Sequence, residues 1–417
     1  QMGVLRHPFL MQASSIRASL NTTVALYCGE IPYFQTQAMF ERLSVNLCLR
    51  FTRAVVLWIA LASPAVATTY YLNPDTGSDS ASGLSKDQAW QTFGRLYQQS
   101  LSPGDEVRLA SGATFQEMLY LDENHTGRAD APIRVMADGP VPARIEAGDS
   151  HGVFVYNTGG LVFANLIVVG SGIGTNTGSG FNLYTDQPGR QPPISVKQVE
   201  ASGFGEYGLF MWGWREDDQL AGFSGLTVSD SVFHHNELAG ASTWAHQPLA
   251  ITDVWVTDSV FHSNPGRPSY SNPSGNGIVL GHVDRGLIEH SVAYNNGASN
   301  TNSAGPVGIW AYNANEIVIQ HNIAHSNRSQ GGDGGGFDLD GGTTHSVMQY
   351  NFSYNNDGAG FLIAQYRGAP SFGNNVVRYN ISQNDGRRSG YGGITVWAAQ
   401  STNRVRDTEI YHNTVYM

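Results

Sequence analysis

An all-β solenoid, wound as a parallel β-helix, is what the sequence predicts, and three observations carry that expectation. Composition is the first: 14% charged residues and 49 glycines in 417 residues suit many turns joining short strands, while 41% apolar content is too high for a disordered chain. The second is a motif that recurs nine times from Leu161 onward, a β-branched strand, a small polar anchor and two apolar positions. Its anchors are Asn165, Gln198, Ser231, Ser259, Ser291, Asn322, Asn351, Asn380 and Asn413, at spacings of 28 to 33 residues. The third is a companion ladder five positions past the anchor, at Asn236, Asn264, Asn296, Asn327, Asn356 and Asp385, after which a second strand opens on Gly plus an apolar residue, as at Gly308-Ile309 and Gly336-Phe337. The chain lacks the leucine scaffold of leucine-rich repeats and the helix formers of helical repeats. Coils stacked about 4.8 Å apart would let asparagines at equivalent turns hydrogen-bond along the stack.

Taken in order, residues 1–38 read as a non-native upstream segment. Residues 39–67 read as a signal peptide: Arg42, Arg50 and Arg53 precede the apolar run Ala54–Ala62, and Ala65-Val66-Ala67 supplies a cleavage pattern. The run is too short to span a bilayer comfortably, so the expected location is secreted, periplasmic or cell-surface, with no membrane span in the mature form. Cleavage would remove both cysteines, Cys28 and Cys48. It would also remove five Arg and two Glu, taking the net charge from −11 to −14. That acidity argues against nucleic acid as a partner. An acidic polysaccharide would need bound cations or local Arg to offset the repulsion.

Residues 68–150 read as an N-terminal cap with opening strands. Thr68–Leu72 has strand composition, and Lys86–Gln99 reads as a short amphipathic helix with Trp90, Phe93, Leu96 and Tyr97 on one stripe. Such a helix would cover an otherwise open sheet edge. Asp75 and Asp79 read as turn-stabilising residues. Short strands are expected around Val107–Leu109, Met118–Leu121 and Ile133–Met136. Residues 151–417 read as the coils, and since Met417 falls in mid-coil with no cap after it, the chain is expected to continue in a longer parent.

Alternation in the Gly-initiated strands sets what points outward. Coil by coil, the outward set includes Phe210 and Trp212, Ser242 and Trp244, Trp310 and Tyr312, Asp338 and Asp340, then Thr395 and Trp397. Trp212, Trp244, Trp310, Tyr312 and Trp397 therefore read as a substrate-binding stripe, because flat rings stack on sugar faces. The stripe is interrupted by an acidic stretch in which Asp333, Asp338, Asp340 and Asp357 fall within 25 residues. Asp338 and Asp340, at i and i+2, share a face roughly 7 Å apart. Like charges so crowded raise one another's pKa unless a cation or proton intervenes. His234, His262 and His325 share a repeat position with Tyr294, Tyr354 and Tyr416, the pattern of a stacked ladder. His282, Asp284 and Arg285 form a second candidate constellation.

The opening YYLNPDTGSDSASGLS, the later LSPGDEVRLASGATF and APIRVMADG, and coils such as VIQHNIAHSNRSQGGDGGGFDLDGG resemble secreted right-handed parallel β-helix proteins of the pectate-lyase-like superfamily. The resemblance covers Thr68–Met417. It implies a right-handed solenoid and a monomeric carbohydrate-active protein, and it leaves the reaction open among lyases, hydrolases, epimerases and non-catalytic adhesins. The leading expectation is a polysaccharide lyase cleaving a uronate-containing polymer by Ca²⁺-assisted β-elimination. Asp333, Asp338, Asp340 and Asp357 would hold Ca²⁺, and Arg367, with Tyr366 or His345 as alternatives, would move the proton. The two lysines beyond residue 67 are Lys86 and Lys197, too far along the chain for the lysine base of one pectate lyase family. Alternatives are a glycoside hydrolase using paired carboxylates and a non-catalytic glycan-binding β-helix.

Overall fold

The computed structural model describes residues 67–400 and 404–417, which belong to one compact unit. Residues 1–66, on which the expected signal peptide up to Val66, the expected upstream segment and both cysteines fall, lie outside the described residues. Two sheets carry the architecture. Ten parallel strands, one per coil, run from Leu119–Leu121 through Val307–Tyr312, Gly335–Leu339 and Phe361–Gln365 to Ile394–Ala398. A 21-stranded network covers the remaining faces of the coils. In that network one coil contributes two strand segments: Ile194–Ser202 pairs with Leu226–Ser229 through its first half and with Val232–His234 through its second. Strands Thr69–Leu72 and Glu106–Ala110 pair in this same network, so residues before 150 already form turns of the solenoid.

Sharp corners between segments place one residue each in the left-handed region, among them Asp230 (φ 50°), Asp258 (φ 49°), His290 (φ 50°) and His321 (φ 55°). Asn, Asp and His tolerate that region better than most side chains. These corners correct the repeat register in its first two copies. Asn165 and Gln198 are corner residues themselves, with φ 56° and 53°, and align with Asp230. The residue aligned with the Ser231 anchor is Val199, whose N–H donates to Ser231 Oγ at 3.1 Å.

From Ser231 onward the expected ladders are present. Asn322 Nδ2 donates to Asn351 Oδ1 at 3.1 Å, and Asn351 to Asn380 at 3.1 Å. In the companion ladder, Asn264, Asn296, Asn327 and Asn356 each donate to the next coil at 2.8–3.0 Å, ending on Asp385. All are buried, and each side-chain oxygen also accepts the main-chain N–H of the preceding coil's ladder residue. The ladder explains the glycine column. A Cβ on Gly308 would stand 2.8 Å from Asn327 Nδ2, and one on Gly336 3.1 Å from Asn356 Nδ2, so the strand passes over the amide only without a side chain.

Inside, phenylalanines stack coil upon coil, with Phe233–Phe261 centroids 5.5 Å apart and Phe337–Phe361 5.2 Å apart. Outside, the expected ring ladder runs His234, His262, Tyr294, His325, Tyr354 at 4.5–5.0 Å. Tyr416 is separated from it by Gln383. A second ladder, His290, His321, Tyr350, Tyr379, His412, stacks at 5.2–5.5 Å.

The single helix expected over Lys86–Gln99 is two pieces, a 3₁₀ turn at Lys86–Gln88 and an α-helix at Phe93–Tyr97. Trp90 between them pairs with the first strand instead, its N–H donating to Tyr71 O and its carbonyl accepting from Asn73 N. Asp79 accepts from the backbone of Gln91 and Thr92, the turn-stabilising role expected of it. Phe93 and Leu96 are buried, whereas Tyr97 is 46% exposed. Phe93 stacks on Phe115 at 4.5 Å, and Tyr97 lies 5.2 Å from Tyr120, so the helix covers the first edge of the ten-stranded sheet. Among the described residues, no helix is long and apolar enough to cross a membrane.

Candidate active site

Strand register on the ten-stranded sheet aligns two outward columns. Phe210, Ser242, Val279, Trp310, Asp338, Leu362 and Thr395 follow one another in the first. The second runs through Tyr184, Trp212, Trp244, Gly281 and Tyr312 to Ala364 and Trp397, with Asp340 in the coil between the last two pairs. The alternation therefore puts the Asp pair where the sequence placed it. What differs is depth. Loops fold over this part of the sheet, and Asp338 is only 3% exposed and Trp310 8%.

Asp338 lies between two small apolar clusters. Val279, Val307 and Trp310 pack on one side, with Tyr312 against them; Ala359, Leu362 and Ala364 pack on the other, with Tyr391. Trp310 is pinned by Nε1 donating to Asn276 Oδ1 at 3.1 Å. Asp338 Oδ1 is buried with no hydrogen-bond partner. Burial, then the nearby Asp340 and Asp333 carboxylates, push the Asp338 pKa well above the usual carboxylate range.

The neighbouring acids are better served. Asp340 is half-buried and accepts from Gly341 N at 2.7 Å. Burial and the Asp333 charge raise its pKa to about 7 against that hydrogen bond. Asp333, also half-buried, accepts from the Tyr391 hydroxyl and from Gly305 N. Burial raises its pKa too, opposed by those two donors, which favour the charged form. Three carboxyls thus share one field and differ in hydrogen bonding: Asp338 has no donor on its inner oxygen, Asp340 one backbone N–H, Asp333 a phenol and a backbone N–H. Tyr366 closes the site, its ring over Gly341 and its hydroxyl donating to Asn313 Oδ1 at 3.0 Å. Burial and then Asp340 raise the Tyr366 pKa.

Several expected site residues sit elsewhere. His345 is an exposed corner residue, φ 51°, whose ring nitrogens meet Asn374 Nδ2 at 3.2 Å, the equivalent corner of the following coil, and Asn315 Oδ1 at 3.0 Å, one residue before the equivalent corner Glu316 of the preceding coil. It belongs to a corner ladder and does not reach the carboxyls. Arg367 is exposed in the turn after its strand. Asp357 faces Arg388 at 3.7 Å and Ser329 N at 3.4 Å. The four aspartates consequently do not form one calcium ligand set, and among the described residues no three His, Cys, Asp or Glu side chains lie placed to hold a metal. Arg285 pairs with Asp253 and Asp284 on the exposed face of the other sheet, apart from His282.

Trp310 is a wall of the site and not an exposed sugar platform. The half-buried Trp212 and Trp244 remain partly open, Trp212 stacked on Tyr184 at 3.9 Å and Trp244 5.9 Å from His282. Trp397 is 49% exposed, two coils beyond the acids. Sequence reasoning missed Tyr391. Its signal was available: it lies 58 residues past Asp333, close to two repeat lengths, so stacking returns the chain to the same place.

A family model described as a right handed beta helix region matches residues 210–377. The fold is the right-handed parallel β-helix. The chain is 25% identical over 451 residues to a lacto-N-biosidase of Bifidobacterium longum subsp. longum, across 84% of this chain and 27% of that protein. It therefore spans about a quarter of the curated relative's length. The solved structure of a GH136 lacto-N-biosidase from Eubacterium ramulus superposes with a TM-score of 0.62 at 15% identity, covering 84% of this chain and 68% of that one. The pectate lyase Pel9A superposes at 0.51 and 16% identity, covering 84% and 80%. At these identities the two structures speak to the β-helix alone.

Proposed function

We propose that this β-helix is a carbohydrate-active enzyme outside the cytoplasm that hydrolyses glycosidic bonds. The observation that carries the reading is the separation of proton affinities among Asp333, Asp338 and Asp340. Glycoside hydrolysis needs one carboxyl holding a proton and another ionised. Asp340, half-buried in the outward column and with a pKa of about 7, suits the proton donor, because a general acid works best when its pKa lies near the working pH. Asp333, with two hydrogen-bond donors on its carboxylate, suits the ionised partner that attacks the anomeric carbon or activates water. Asp338, the most deeply buried of the three and with its pKa raised by that burial, favours the neutral form, which would limit the negative charge of the cluster. The lacto-N-biosidase relative supports a glycan substrate, and lacto-N-biosidase activity is the first to assay.

The test is a panel of neutral and acidic glycans, including one ending in lacto-N-biose, incubated with and without EDTA. Hydrolysis yields new reducing ends without absorbance near 235 nm, in EDTA as well as without it. Asp340→Asn and Asp333→Asn should each abolish it, with azide restoring turnover to Asp333→Ala if Asp333 is the attacking group. Absorbance near 235 nm that EDTA removes would instead establish the calcium-assisted lyase. Binding without cleavage of any glycan would establish a non-catalytic glycan-binding role.

A further inference from the structure

A cavity of about 360 Å³ is lined, among others, by Arg328, Ser329, Asp357, Arg387 and Arg388. Three guanidinium groups and one carboxylate give this lining a net charge of +2, in a chain whose residues 68–417 carry −14. Arg388 is already engaged, with Nη1 donating to Ser329 O at 2.5 Å and facing Asp357 at 3.7 Å. Arg328 and Arg387 are exposed, and neither guanidinium has a hydrogen-bond or ion-pair partner among the described residues. Their main chain is nevertheless tied down: Arg328 N donates to Asn296 O at 2.8 Å, directly after the ladder residue Asn327, and Arg387 N donates to Asn356 O at 3.4 Å.

The same two loops reach the acids. Arg328 stands five residues before Asp333, and Arg388 three before Tyr391, whose hydroxyl donates to Asp333. We infer that this cavity binds the anionic group of an acidic sugar residue, a carboxylate or sulfate ester, in a glycan whose neighbouring linkage lies over Asp333 and Asp340. The inference rests on the glycan-hydrolase reading for the position of the linkage, and on the cavity alone for the charge. Two unpaired guanidinium forks match the paired oxygens of such a group in a way an ammonium does not. They also supply the local positive field that an acidic substrate would require to approach so acidic a protein.

Direct binding tests it without turnover. Calorimetry on the Asp340→Asn protein would compare oligosaccharides bearing a terminal glucuronate or a 6-sulfated N-acetylglucosamine with their uncharged counterparts, at low and high salt. The expected result is that at least one charged ligand binds roughly tenfold tighter or better than its neutral twin, with the gap narrowing at high salt. The uronate and sulfate arms say which group is taken. Arg328→Gln with Arg387→Gln should erase that gap at an unchanged melting temperature, and the double Lys variant, which keeps the charge and loses the fork, should restore part of it. Equal binding of charged and neutral ligands, or a preference that survives in the double Gln variant, overturns the site. Because no hydrolysis is read, a negative result for hydrolysis on the glycan panel leaves this outcome interpretable.

Discussion

Replacing Asn327 by Ala removes four side-chain hydrogen bonds from a fully buried position. Its Oδ1 accepts from Asn296 N at 3.2 Å and Asn296 Nδ2 at 3.0 Å, and its Nδ2 donates to Asn356 Oδ1 at 2.9 Å and Ala293 O at 3.3 Å. The consequences are unequal. Asn296 Nδ2 keeps its bond to Phe261 O at 3.0 Å, and Asn356 Oδ1 keeps the Asn327 N–H at 2.9 Å. The Asn296 N–H loses its acceptor while buried. One orphaned buried donor costs about 1–3 kcal/mol, and each of the three remaining lost bonds about 1, so the variant should lose about 4–6 kcal/mol. Repeat arrays depart from two-state unfolding, so the assay is a urea midpoint together with hydrogen exchange resolved by coil. Exchange should accelerate first at Asn296 and in the adjoining Arg328–Asp333 loop. A loss below about 1 kcal/mol, or protection at Asn296 equal to wild type, would refute the ladder as the element that fixes these corners.

Three further outcomes follow from the site and the outer rings. With Asp340 as proton donor, kcat/KM should fall as pH rises through about 7, since the donor must be protonated; a flat profile from pH 6 to 9 would remove Asp340 from that role. Tyr391→Phe takes away a donor that lowers the Asp333 pKa, so the acid limb should move upward and activity at pH 5 should drop further than at pH 7. The His262 imidazole is held down to about 4 by burial and then by the charges of His234 and His235. The unfolded chain takes up that proton below about 6.5, so stability present above that pH is lost as pH falls towards 4. His262→Tyr, matching Tyr294 and Tyr354 in the same ladder, should keep the melting temperature at pH 7 and raise it at pH 5 relative to wild type.

How much of this was legible depended on what kind of residue marked it. The coil period and the ladders could be read because Ser and Asn recur wherever a buried corner must be satisfied. In the first two copies Leu166 and Val199 occupy that place, and the polar residue nearest, Asn165 or Gln198, marks the corner one position earlier. The outward columns were legible through alternation, which reports direction only. Depth is set by loops crossing the face, so Trp310 and Asp338 read as open when they are buried. Asp333 and Asp357 look alike in the sequence, each beside glycine in a turn. They diverge because Asp333 meets Tyr391 arriving from two coils on, while Asp357 meets Arg388. His345 read as a candidate proton carrier because it follows the acids closely, yet the strand has already turned the corner.

The asparagine ladder has a polarity of its own. In every rung the main-chain N–H of one coil is completed by the side chain of the coil that follows it in sequence. During synthesis, then, a coil's buried corner stays unfinished until about one further repeat has emerged. Nascent chains held at successive lengths should gain protection in steps of one coil, always one behind the newest. The same polarity lets a whole coil be duplicated without loss, since an inserted Asn serves the rung before it and is served by the rung after.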